Sequence, residues 1–404
     1  MKSILSKKGF FAIVVAACFA FPISNISAQN NQSSSLLGQL NTITTSVPFL
    51  IISPDARAGG MGDAGVASSA DVNSIHWNPA KLAFMEQKMS FGVSYTPWLR
   101  KLVPDINLAY VSFGKVLKGD QAVGASLRYF SLGDITFTDA TGVEIGQFNP
   151  SEFAFDVAYS RKLSENISGG MALRYINSNL TGGVLVDNNQ TKAGQSVAAD
   201  ISAYYTSEIE IGKKDAIFSL GMNISNIGSK ISYTETGRKD FIPINLRLGP
   251  SIKFLLNEYN EIALLVDFNK LLVPTPPIYD PTQQSNGNSV IVFGENPDVS
   301  VAQGIFQSFN DAPNGGKEEL QEINIASGLE YWYDKQFAFR AGYFHEHQNK
   351  GNRKYFTLGA GLKYSVFGLD FAYLIPTDQR NPLENTLRFT LVFDFNGGEK
   401  ETEE

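Results

Sequence analysis

Between about residues 89 and 395 the chain alternates short and long connections, and the segments they join are strand-length runs with alternating apolar and polar side chains. Tight turns on one side and longer loops on the other are what an antiparallel β-barrel crossing a bilayer requires. A soluble β-sandwich has no reason to sort its loops by parity. The runs lie near 89–98, 105–117, 121–132, 152–163, 167–177, 196–207, 216–227, 243–256, 261–271, 322–333, 336–345, 354–364, 366–375 and 386–395. They number about fourteen, an even count within the range such barrels use. Connections around 118–120, 164–166, 257–260, 334–335 and 365 read as turns and 208–215 as a modest loop, all on one side; 133–150, 178–195, 228–242 and 272–321 are long and fall on the other.

The faces agree with that reading. Leu387, Phe389, Leu391, Phe393 and Phe395 make one side of a strand wholly apolar, while Arg388, Thr390, Val392 and Asp394 between them are mostly polar. Phe367, Leu369, Phe371, Tyr373 and Ile375 alternate with Gly368, Asp370 and Ala372, and Phe337, Phe339, Ala341 and Tyr343 with Ala338, Arg340 and Gly342. Strand side chains alternate at period two, so one set meets lipid and the other the lumen. Alternation alone does not say which face is wet; loop parity and an export signal decide it.

That signal opens the chain. Basic Lys2, Lys7 and Lys8 precede an apolar run at 10–21, and Ile26, Ser27 and Ala28 precede Gln29, which predicts a secretory signal peptide over 1–28 with cleavage after Ala28. Val15, Ala16, Ala17 and Cys18 loosely resemble a lipoprotein cleavage box, but the apolar 19–23 after it argues against lipidation. Cys18 is the only cysteine and leaves with the leader, so disulfides, thiolate metal sites and cysteine catalysis are excluded from the mature chain. Loss of three lysines moves the formal charge from -7 to about -10, which offers no support for nucleic-acid binding. No later apolar stretch reaches the length of a membrane helix. The expected division is therefore 1–28 signal peptide, 29–86 N-terminal extension and plug, 87–396 barrel and 397–404 acidic tail, with an even strand count placing both termini on the periplasmic side.

In the extension, Gly60, Gly62 and Gly65 match the spacing of a dinucleotide-binding fingerprint. That fingerprint needs a following βαβ unit, and none is present. The preferred reading is that the glycines let backbone pack tightly in a confined space, the lumen. Trp77, Asn78, Pro79 and Ala80 lead into the first strand and by local chemistry alone could be an X-Pro turn ending a helix.

The run from Pro54 through Arg57, Gly59, Gly60, Met61, Gly62, Asp63, Ala64 and Gly65 to Asp71, followed by Trp77, Asn78, Pro79 and Ala80, resembles the N-terminal plug region of the FadL-like barrel superfamily and, more closely, the PorV family of the type IX secretion system. The resemblance implies a non-enzymatic, multi-pass subunit of a Gram-negative outer membrane. It implies docking on a large translocon barrel, receipt of cargo bearing a C-terminal signal domain, and delivery of that cargo to a surface attachment complex. A FadL-type channel for hydrophobic small molecules is the alternative, and it would need an apolar lumen pocket.

Chemistry finds little support. His345 and His347 would face the same way in a strand, but a zinc site needs at least three protein ligands and no third is identifiable. No serine is placed beside a base. No catalytic, cofactor or metal residue is therefore nominated. The inward Arg128, Arg174, Arg247, Arg340 and Arg388, with Asp156, Asp370 and Asp394, are expected to pair or to anchor the plug, because uncompensated buried charge is costly. The 272–321 connection carries Phe293, Phe306 and Phe309, aromatics that the barrel wall does not require, and these are the candidate partner anchors.

Overall fold

Polar side chains are buried and apolar ones exposed along the same strands of the molecule. In the computed structural model, which describes residues 40–395 apart from 102, 104, 139, 140, 184, 187, 188, 236, 238, 286, 287, 379 and 380, Ser112, Arg128, Asp156, Arg174 and Thr390 are buried while Leu127, Tyr129, Val157, Leu173 and Leu391 face outward. This inversion of a soluble core marks the outer face as the one that meets lipid.

Fourteen strands form a closed antiparallel barrel. In chain order they are β1 Met89–Pro97, β2 Asn107–Leu117, β3 Gln121–Ser131, β4 Ser151–Lys162, β5 Ile167–Asn179, β6 Gly194–Ile211 and β7 Lys214–Gly228. They continue with β8 Asn245–Leu255, β9 Asn260–Leu271, β10 Asn324–Tyr333, β11 Phe337–His345, β12 Lys354–Tyr364, β13 Phe367–Pro376 and β14 Leu387–Phe395. Each pairs with its sequence neighbour, and β14 returns to β1 with Met89 opposite Phe395 and Tyr95 opposite Phe389, which removes both sheet edges.

Three local features depart from the sequence reading. The expected loop at 208–215 is strand: β6 and β7 run on past their neighbours as a hairpin that turns at Gly212, with φ of 69°. Its exposed tip packs on nothing, so no period marks it. The long connections also hold structure of their own. Antiparallel pairs form between Ile135–Thr138 and Glu144–Phe148, and between Ile278–Ser285 and Asn288–Phe293; α-helices span Val301–Gln307 and Gly316–Gln321.

The third departure concerns the path of the chain. Residues 47–85 lie inside the barrel, since they touch strands on every side of the ring. Gly62 N–H donates to Thr357 on β12 (2.8 Å), Gly65 N–H to Asp267 on β9 (2.7 Å), and Ala80 N–H to Ser202 on β6 (3.0 Å). Ser112 on β2 bonds Asn73, and Arg128 on β3 donates to the Leu50 carbonyl (2.6 Å). At its start, Asn41 N–H donates to the Asn349 carbonyl and Ser46 N–H to the Phe241 carbonyl, both in connections on the long-loop side. At its end, Lys88 accepts from Val116 beside the first tight turn. The segment thus enters at the long-loop end and leaves at the short-turn end. Strand parity returns β14 to where β1 begins, but it says nothing about what precedes β1: residue 41 lies at the long-loop end and β14 finishes at the short-turn end, while both termini expected on the periplasmic side lie outside the described residues. The leader at 1–28 and the tail at 397–404 lie outside them.

Candidate functional site

The interior segment is built from short elements that the sequence fixes locally. Asp55 caps the helix Ala56–Gly59 by accepting from Ala58 N–H, and its other oxygen accepts from Trp77 Nε1 at 2.6 Å. Asn78, extended as a residue before proline should be, accepts from Ala80 N–H and starts the 3₁₀ turn Pro79–Phe84 with Pro79 at its first position. Its amide nitrogen donates to the carbonyls of Val66 and Ala203, both at 3.0 Å. One residue therefore ties two turns of the segment to the wall.

The glycines sit at close approaches. A Cβ on Gly62 would lie 2.6 Å from Tyr343 N, and the residue has φ of 69°. A Cβ on Gly65 would meet the Trp77 ring at 2.6 Å, and one on Gly60 would be 3.1 Å from the Gly359 backbone. The wall answers with glycines of its own, Gly221, Gly328 and Gly342, against the backbone of Val66, Met61 and Gly62.

Charge locks the same contact. Arg388 on β14 donates to Asp63 at 2.5 Å. Arg57 pairs with Asp71 (2.9 Å) and with Glu330 on β10 (2.8 Å), and Arg340 on β11 bridges Glu330 (2.8 Å) and Asp370 (2.6 Å). Arg174 joins Asp156 and Asp200 and contacts Asn226 within the wall. Arg247 is different: it bonds Asn269, lies over the Trp77 ring at 4.7 Å, and makes no ion pair among the described residues.

At the long-loop end, connection 272–323 folds back on the mouth. Val301, Ile305 and Phe309 pack on a cluster that includes Ile242, Ile244, Leu272 and Val273, joined by Phe49 and Leu50 of the interior segment. Phe309 is half-buried under the Lys270 ammonium, Phe293 is half-buried, and Phe306 is 79% exposed. The three aromatics are thus not equivalent. Within the helix the spacing of 301 and 305 makes a covering face and leaves 306 outward, a signal present in the sequence but hidden while the segment was read as loop, and Phe309 joins the covering side just past the helix end.

Buried ions pin this connection. Lys270 pairs with Glu319 (2.9 Å) and Glu322 (2.6 Å), and Lys350 with Glu318 (2.6 Å) and Glu322 (2.9 Å). Asp311 accepts from Thr275 N–H at 3.0 Å. Burial pushes the Asp311 carboxyl up to about 7, opposed by the Thr275 N–H and reinforced by Glu319 and Glu322. Its folded pKa lies above its unfolded value, so its contribution to docking is complete below about pH 4 and lost as pH rises through about 7. Limited proteolysis of 272–321 is expected to quicken from pH 5 to pH 8, and Asp311→Asn should flatten the change. A wild-type rise that survives this substitution would assign the effect to another group.

His345 lies 3.4 Å from the Tyr343 hydroxyl, and His347 caps the turn Gln348–Lys350 by accepting from Asn349 N–H. Among the described residues no group of three or more His, Cys, Asp or Glu is placed to hold a metal ion.

Residues 36–278, more than half of the chain, match the family described as "Type IX secretion system protein PorV". The chain belongs to the PorV family. It is accordingly an outer-membrane β-barrel protein of the type IX secretion system, and the family is one of transport components. Among curated proteins none matches the chain. Similar solved structures include the Pseudomonas putida toluene transporter TodX, at 9% identity and TM-score 0.49, covering 89% of this chain and 100% of that one. The CymD monoaromatic hydrocarbon channel is 14% identical with TM-score 0.47, covering 86% and 99%. A Pseudomonas aeruginosa FadL homologue is 11% identical with TM-score 0.41, covering 88% and 99%.

Proposed function

We propose that the protein is a carrier subunit of the type IX system without chemistry of its own. It docks beside the large translocon barrel, takes up cargo bearing a C-terminal signal domain, and carries it to the surface attachment complex. What supports a carrier over a channel is an interior occupied by the protein's own chain: residues 47–85 act as a plug, held by Arg57, Asp63 and the glycine contacts of Gly60, Gly62 and Gly65. Interactions then fall to the long-loop end, where Phe306 and, in part, Phe293 are available while Phe309 is used by the mouth. Exposed aromatics can supply much of an interface's binding energy.

The test is a deletion strain complemented with wild type or with Phe293→Ser/Phe306→Ser. Deletion should leave cargo inside the envelope with general outer-membrane permeability little changed. The double variant should fold and lose co-purifying translocon or cargo. Normal cargo secretion in the deletion strain would overturn the role, and a folded double variant with wild-type partner levels would move the docking surface elsewhere.

A further inference from the structure

A cavity of about 350 Å³ opens at the long-loop end between residues 42–48 of the interior segment and the β11–β12 connection. Against it lies a chamber of about 70 Å³, and the two share Ile51, Leu271, Asn324 and Arg353 as walls. The chamber floor is Arg247 with Trp77.

The charges around the chamber do not balance. Asp63 is taken by Arg388 at 2.5 Å and by the Tyr355 hydroxyl at 2.6 Å. Arg353 is taken by Glu346 at 2.7 and 2.8 Å. Among the described residues Arg247, 5% exposed, has the Asn269 oxygen (3.0 Å), a long contact to the His76 carbonyl (3.4 Å) and the Trp77 face. Asp267 on the adjoining β9 lies outside ion-pair reach and accepts from Gly65 and Val66 N–H instead. A buried guanidinium without a carboxylate is costly, and an anion in the chamber would offset that cost. Carboxamides surround the same space. Among the described residues, the amide nitrogen of Asn269 and the side chain of Asn245 make no hydrogen bond, and the buried Asn324 Oδ1 has no partner. A carboxamide turned by 180° presents N–H₂ where its oxygen was, so Asn324 can donate to an anion there.

We propose that this chamber binds a free carboxylate, with Arg247 as the charged donor and Asn245, Asn269 and Asn324 as amide donors. A guanidinium matches a carboxylate with two parallel N–H bonds, and the chamber has room for the head group and little more. The tail lies in the upper cavity, whose wall mixes Ile43, Pro48, Ile51 and Leu271 with Thr42, Thr44, Thr45, Glu322 and Lys350, and whose volume of about 350 Å³ suits a short chain. Two sources share that chemistry, a small organic acid and the C-terminus of an extended peptide. The site stands apart from the transport reading and does not depend on it.

The experiment uses the full protein purified in detergent, titrated with butyrate and, at equal ionic strength, with chloride, followed by saturation-transfer NMR. A second arm uses a hexapeptide with a free C-terminus and the same peptide as its C-terminal amide. Saturable butyrate binding is expected, weakened about tenfold or more in Arg247→Gln, which removes the charge-assisted bond. Asn324→Leu, which fills the chamber and leaves Arg247 in place, should do the same and keeps the test decisive if Arg247→Gln fails to fold. Binding of the free peptide but not its amide points to a chain terminus, and binding of butyrate alone to an organic acid. Binding of neither, or equal binding by wild type and a folded variant, overturns the site.

Discussion

Gly342→Ala should produce a barrel whose interior segment no longer seats. A Cβ at this position would stand 2.0 Å from Gly62 N and 2.2 Å from the Met61 carbonyl carbon, both backbone atoms that no rotamer change can move. Overpacking in an adaptable core costs about 1–3 kcal/mol, and here neither partner is a side chain that can yield. Alanine is compatible with a strand, so β11 should still pair with β10 and β12. The expected phenotype is therefore selective: heat-modifiable migration is retained, trypsin gains access to Arg57, and conductance in planar bilayers rises. A variant with wild-type protection at Arg57 and unchanged conductance would mean that the segment seats differently from the geometry described.

Arg174→Met should lower the unfolding midpoint more than any exposed ion-pair substitution. Asp156 faces Arg174 across the β4–β5 ladder and Asp200 reaches it from β6, so methionine leaves two buried carboxylates without a cation in contact. Removing one partner of a buried ion pair costs about 3–5 kcal/mol, whereas an exposed pair is worth about 0–1 kcal/mol. Lys101 and Glu384, both well exposed, provide the control. Converting Asp156 and Asp200 to asparagine in the Arg174→Met background should recover most of the loss, because the uncompensated charge disappears with them. The reading is falsified if Arg174→Met and Lys101→Met shift the midpoint equally in the same detergent.

All fourteen strands were legible, in order and with pairing, because a bilayer on one side and a polar lumen on the other impose period two with unusual regularity. The inward arginines were legible as a group but not in their pairings. Arg388 meets Asp63 and Arg57 meets Glu330 across separations in sequence that no local pattern encodes. Nor could spacing single out Arg247 as the inward arginine facing an open chamber. The Glu208–Ile211 end of β6 was missed because nothing packs on the hairpin tip to create a pattern. Phe309 was grouped with Phe306 because the Val301–Gln307 helix is too short to announce itself: it turns Phe306 outward, and Phe309, two residues past its end, falls back on the mouth.

The path of residues 40–88 makes the molecule an axle inside a ring, with the axle covalently joined to the ring at only one of its ends. A closed ring offers no side entrance, and at Gly221, Gly328 and Gly342 the bore narrows until backbone touches backbone. An axle that fits so tightly is not threaded after the ring has shut. The ladder between β1 and β14 is therefore the clasp of the assembly, and it must fasten around a segment that is already lying in place.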